Sequence, residues 1–109
     1  MMYEELIVME HMQIRMAKME DLDEIAFVES ECFPFGEAAT KEKFAERIKE
    51  YGTHFWLMCE EEKVIAFVDG MVTDEKNLTD EMYEKACLHD EKGAWQMIFG
   101  VNTLPKYRR

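Results

Sequence analysis

The stretch Trp95-Gln96-Met97-Ile98-Phe99-Gly100-Val101-Asn102-Thr103-Leu104-Pro105-Lys106-Tyr107-Arg108-Arg109 decides how the chain is read. Trp95, Met97, Phe99 and Val101 alternate with Gln96, Ile98 and Gly100, and both sides of the alternation are largely apolar. That pattern predicts a strand buried on both faces. Pro105 ends it, because proline has no N–H to give to a ladder. A basic run, Lys106-Tyr107-Arg108-Arg109, follows.

Working upstream, His54 to Glu60 alternates in the same way, with Phe55, Leu57 and Cys59 on one side and Trp56 and Met58 on the other. It reads as another strand buried on both faces. Glu60-Glu61-Glu62-Lys63 is a polar turn, and Val64 to Val72 is the next strand, so the two form an antiparallel hairpin. Gln13 to Ala17 is a short strand. Two helices lie between it and the hairpin. Asp21 followed by Glu24 has capping-box spacing, and Leu22, Ile25, Val28 and Cys32 make an apolar stripe that should end near Phe33-Pro34. Thr40 is a suitable N-cap for the second helix. Phe44, Ile48 and Tyr51 recur at helical spacing, and Gly52 is a suitable stop. Arg47 is expected to be a solvated surface charge. Thr73 to Gly93 is an acidic connection in which Leu78, Met82 and Ala86 mark one short helix. Residues 1–12 read as an extension. Its Leu6-Ile7-Val8-Met9 fits a docked strand or arm, or a start-site artefact.

At 109 residues the chain holds one domain at most, and 48% hydrophobic residues are enough for a core. A net charge of −11 argues against nucleic-acid binding, which needs Lys and Arg against phosphate. It is compatible with cationic partners such as amines. Cys32, Cys59 and Cys87 are odd in number and far apart, with no C-x-x-C, so no metal centre is expected. Cys32 and Cys59 lie in apolar stretches and read as buried free thiols. Nothing resembles a signal peptide or a membrane span, and a reducing cytoplasm is the expected location.

A buried strand running into Pro105-Lys106-Tyr107-Arg108 resembles the fourth strand of the GNAT superfamily of acetyl-CoA-dependent N-acetyltransferases. There V-x-P-x-Y-R leads into a pyrophosphate loop, Q/R-x-x-G-x-G/A. Arg108 and Arg109 match the first two loop positions, and the glycines do not follow. Ile14-Arg15-Met16-Ala17 with Asp21-Leu22-Asp23-Glu24-Ile25 resembles the family's first strand and helix. Phe33-Pro34-Phe35-Gly36-Glu37-Ala38-Ala39-Thr40 is similar to F-P-x-x-E-A-A-[ST] of the serotonin (arylalkylamine) N-acetyltransferase branch, and Leu78-Thr79-Asp80-Glu81-Met82 to the branch's L-x-D-E-M.

The resemblance implies an α/β (α+β) fold over residues 13–109. It would be a mixed, mainly antiparallel sheet flanked by helices, truncated after the fourth strand. It implies acetyl-CoA as co-substrate and a small primary amine as acceptor, aromatic in the branch that the Phe33–Thr40 segment resembles. Backbone N–H groups of Val101, Asn102 and Thr103 would meet the acetyl carbonyl and pantetheine arm, and Arg108 and Arg109 the pyrophosphate. Phe33, Pro34 and Phe35 would border the amine. The branch's two proton-relay histidines fall on Met97 and Phe99, neither of which accepts a proton, so the catalytic base is unassigned and is an acidic side chain or solvent. His11, His54 and His89 read as surface or strand residues. Tyr51, Tyr83 and Tyr107 have no claim to protonating the thiolate. The expected activity is amine acetylation, weak in this chain alone. The alternatives are a non-catalytic module that self-associates through the exposed edge of the fourth strand, and a structural protein with no small-molecule site.

Overall fold

The computed structural model describes residues 12–33, 36 and 38–108. In chain order the strands are β1 (Met12–Met16), β2 (Phe55–Glu60), β3 (Lys63–Asp69), β4 (Val72–Thr73), β5 (Trp95–Gln96) and β6 (Gly100–Thr103). The helices are α1 (Leu22–Cys32), α2 (Lys41–Tyr51) and α3 (Asp80–Glu84). Four strands form one sheet in the order β1-β2-β3-β6, while β4 and β5 pair separately. The described pairings are antiparallel, as expected of an α+β domain with a mainly antiparallel sheet.

Local chemistry sets most of these elements. The Thr40 hydroxyl accepts the Lys43 N–H at 3.2 Å and starts α2. Phe44, Ile48 and Tyr51 are buried along that helix, and Ile25 and Val28 along α1. Most of these side chains meet Phe55, Leu57, Cys59 and Phe67 on one sheet face in a single apolar cluster, while Tyr51 packs in a second cluster with Met71, Met82, Ala86 and Met97. Asp21 does not cap α1 as a capping box would. Its carboxylate turns back to accept the Lys18 N–H at 2.8 Å and two bonds from Arg15. The guanidinium fork wins the carboxylate because a charged, two-point bond is stronger than one to an amide.

The other sheet face carries two cross-strand rows. Met16, Trp56, Val68 and Val101 form one, and Ile14, Met58, Ala66 and Thr103 the other. Ile14, Met16 and Val101 are exposed, and the rest are half-buried. Among the described residues no helix is long and apolar enough to cross a membrane.

Two strands are shorter than the sequence predicts. The run from Val64 to Val72 breaks at Gly70, and the run from Trp95 to Val101 breaks between Gln96 and Gly100. Trp95, Ile98 and Val101 are exposed rather than buried. The breaks face each other. A Cβ on Gly70 would lie 1.7 Å from the Met97 carbonyl oxygen, so only glycine lets the two backbones approach there. Asp69 O then accepts the Phe99 N–H at 2.8 Å while Asp69 is also in register with Gly100. Two residues opposite one make a β-bulge. Pro105 does end the ladder, and the Leu104 N–H gives its last bond, to Ile65 O. In the connection, Met82 and Ala86 are buried but Leu78 is exposed.

Candidate functional site

A cleft of about 620 Å³ opens beside the bulge, on the helix-covered side of the sheet. Its walls come from the end of α1, the segment before α2, α2 itself, α3 and the β3–β6 junction; Asp69, Arg47, Glu29, Asn102, Tyr83 and Phe33 are among its lining residues.

Arg47 is buried, contrary to the surface position expected from the sequence. It lies between the Phe44 and Phe99 rings, with its guanidinium carbon 5.2 Å from each centroid. One terminal nitrogen faces Asp69 Oδ2 at 3.3 Å, and the other donates to Tyr83 O at 3.1 Å. Its Nε has no partner among the described residues. The sequence carried a signal for this. Arg47 occupies the i+3 slot of the stripe Phe44, Ile48, Tyr51, so it had to point inward with them.

Asp69 is the matching inward charge on β3, 1% exposed. Burial pushes its carboxyl up to about 6; Arg47 pulls the other way and Glu29 adds to the rise. Glu29 links three elements, its carboxylate accepting the Ala39 N–H at 2.7 Å and an Asn102 Nδ2 hydrogen at 2.9 Å. Tyr83 stacks on Phe99, with centroids 4.6 Å apart, and its hydroxyl donates to Phe99 O at 3.4 Å. Asp69, Arg47, Glu29 and Tyr83 were not singled out as site residues from the sequence, because each owes its place to contacts distant in the chain.

The residues that were singled out divide. Phe33 and Asn102 line the cleft. Val101 and Thr103 lie on the same edge strand but are oriented differently. Leu104 and Asn102 turn their backbone toward β3, so by alternation Val101 and Thr103 turn their N–H groups to the free edge. Arg108 folds back, donating to Thr103 O at 2.9 Å and to Cys32 Sγ at 3.3 Å. Cys32 is therefore half-buried at this edge, whereas Cys59 is fully buried. Pro34, Phe35 and Arg109 lie outside the described residues, as does the extension over residues 1–11.

A second cluster lies away from the cleft. His54, His89 and Glu91 bring their polar atoms within 4.8 Å of one another. Neither histidine had a partner readable from spacing.

No protein-family model matches the sequence, and no curated protein matches it. Solved structures do. The loading GNATL domain of CurA from Lyngbya majuscula superposes with a TM-score of 0.79 at 22% identity, over 90% of this chain and 50% of that one. The GphF GNAT-like decarboxylase in complex with isobutyryl-CoA gives 0.78 at 24%, over 89% and 51%. The ribosomal-protein-S18-alanine N-acetyltransferase from Escherichia coli gives 0.57 at 18%, over 90% and 49%. The fold is thus that of GNAT-like domains, and the chain spans about half the length of these structures.

Proposed function

We propose that the chain carries the site of an acyl-CoA-dependent N-acyltransferase that moves an acetyl group from acetyl-CoA to a small primary amine, with Asp69 as general base. The observation that carries this reading is the place of Asp69: a buried carboxyl raised to about 6, beside a bulge and on the wall of a cleft. A base works best with its proton affinity near the operating pH. Asp69 takes the ammonium proton; the amine nitrogen then bonds to the thioester carbonyl carbon. The C–S bond breaks, and the CoA thiolate leaves and takes up the second proton that the amine nitrogen loses as it becomes an amide. The outward N–H groups of Val101 and Thr103 are the donors for the acetyl oxygen and the pantetheine arm. By the resemblance, Arg108 and Arg109 would meet the pyrophosphate. Phe33, Tyr83 and Phe99 give the cleft aromatic walls, which favour an arylalkylamine of the kind the Phe33–Thr40 resemblance implies. A similar fold bound to isobutyryl-CoA supports an acyl-CoA as the other substrate.

Calorimetric titration with acetyl-CoA, followed by turnover assays with phenethylamine, tests the reading. Saturable binding is expected, with slow turnover that Asp69→Asn lowers at least ~100-fold while leaving acetyl-CoA affinity unchanged. Absence of saturable binding overturns it.

A second reading is favoured by the higher TM-score to the decarboxylase than to the N-acetyltransferase, 0.78 against 0.57. Here the substrate is a β-carboxyacyl-CoA. The bond from Cα to the carboxylate breaks, CO2 leaves, and the electron pair passes into a thioester enolate that is protonated at Cα. Arg47 is the cation for the departing carboxylate, and its Nε is unpartnered. Release of CO2 from malonyl-CoA without amine would select this reading over the first.

A further inference from the structure

His54 closes the turn Gly52–His54 ahead of β2, while His89 and Glu91 lie on the connection ahead of β5. The hydrogen-bond pattern around Gln96 fixes which nitrogen of His54 carries hydrogen. Gln96 Nε2 donates to Met97 O at 2.8 Å and Gly70 O at 2.9 Å, so the amide oxygen is the atom turned to His54 Nδ1, at 2.7 Å. An amide oxygen only accepts, so Nδ1 is the protonated nitrogen. His54 Nε2 then faces the two Glu91 carboxylate oxygens at 2.7 and 2.9 Å. Nδ1 carries the hydrogen, so the Nε2 lone pair and the carboxylate oxygens converge on one point, as donor atoms do around a cation. His89 brings its own Nε2 to 3.5 Å from the same carboxylate, with the two imidazole centroids 5.3 Å apart.

We propose that His54, His89 and Glu91 form a binding site for a divalent transition cation of the zinc class. Two imidazoles and a carboxylate suit such an ion better than calcium or magnesium. Gln96 is a positioning residue that holds the His54 ring in the tautomer a ligand needs. His89 must change tautomer to ligate. Its Nδ1 accepts the Val72 N–H at 2.9 Å, so the hydrogen of the neutral ring sits on Nε2; on binding, that hydrogen moves to Nδ1, the bond from Val72 gives way, and the neutral Nε2 lone pair is freed for the cation. The bound ion would join the turn before β2 to the connection that also carries Tyr83 and Glu84 on the cleft wall.

The test is titration of the chelator-treated, full-length chain with zinc chloride, read by calorimetry and by thermal unfolding. Saturable one-to-one binding and a zinc-dependent rise in Tm are expected. His54→Gln and Glu91→Gln should each weaken binding at least ~10-fold, as should Gln96→Ala through its hold on the ring. Glu91 is exposed, so Glu91→Gln keeps the fold and the loss can be read cleanly. Cobalt substitution adds a visible absorption band that a merely structural role for these residues would not produce. The site is overturned if zinc gives neither saturable heat nor a Tm shift. It is equally overturned if affinity is unchanged in Glu91→Gln.

Discussion

An arginine–aspartate pair stands near each end of the sheet, and the two are built in opposite ways. Beside β1, Arg15 grips Asp21 with two bonds of 2.9 and 2.7 Å at a part-buried surface. There the partner's fork and the Lys18 N–H hold the Asp21 carboxyl below its ordinary value, against some desolvation. Beside β6, Arg47 reaches Asp69 through one bond of 3.3 Å in full burial. There desolvation wins, and the carboxyl is raised. The difference shows that pairing alone does not decide the charge state of a carboxyl; the number of bonds and access to water do. The first pair ties a turn to a strand. The second holds a carboxyl raised by burial on the wall of a cleft.

Substitutions at the two ends of the sheet should have unequal effects. The largest effect is expected from Arg47→Met, which leaves Asp69 buried without its cation and should cost about 3–5 kcal/mol in urea unfolding. Adding Asp69→Leu should recover part of that loss, since an apolar pair has no charge to desolvate. Gly70→Ala attacks the same end through the backbone. The Cβ would overlap the Met97 carbonyl, so a loss of about 2–4 kcal/mol is expected, together with loss of acyl-CoA binding. Asp21→Asn removes the charge-assisted fork at the other end and should cost about 1–2 kcal/mol, less at high salt.

The pH dependence sharpens the contrast. Asp21 is lowered from 3.8, so its contribution is present above that pH and is lost as pH falls through the lower folded value. Asp69 is raised from 3.8 to about 6, so its contribution is full below 3.8 and is lost as pH rises through about 6. Urea midpoints measured across the acid range should therefore decline from about pH 4 to 6 in the wild type, flatten there in Asp69→Asn, and lose the steep acid limb in Asp21→Asn.

Most of the frame was legible in the sequence. The stripes of both helices, the Thr40 cap, the hairpin and the stop at Pro105 all rest on local periodicity or local stereochemistry. The split of the sheet did not show. Trp95 to Val101 is apolar enough to read as one strand, and only the contact of Gly70 with Met97 reveals the break. The cleft was legible in part. Phe33 and Asn102 were marked by resemblance, but the Arg47–Asp69 pair joins helix to strand across the fold. Arg47 alone looked like a solvated surface charge, and Asp69 was simply one residue of a strand. The inward slots both occupy, one in a helical stripe and one in a strand alternation, were the clue.

The two apolar rows on the far face of the sheet have a colloidal consequence. A chain of net charge −11 keeps its copies apart by repulsion across the solvent, and that repulsion reaches about 10 Å at 0.1 M salt but only about 3 Å at 1 M. Once it is screened, Ile14, Met16 and Val101, which already stand exposed, are free to meet their counterparts on another molecule. The sedimentation coefficient should rise with ionic strength. Replacing Val101 by lysine should hold it constant, because the contact then carries a charge of its own.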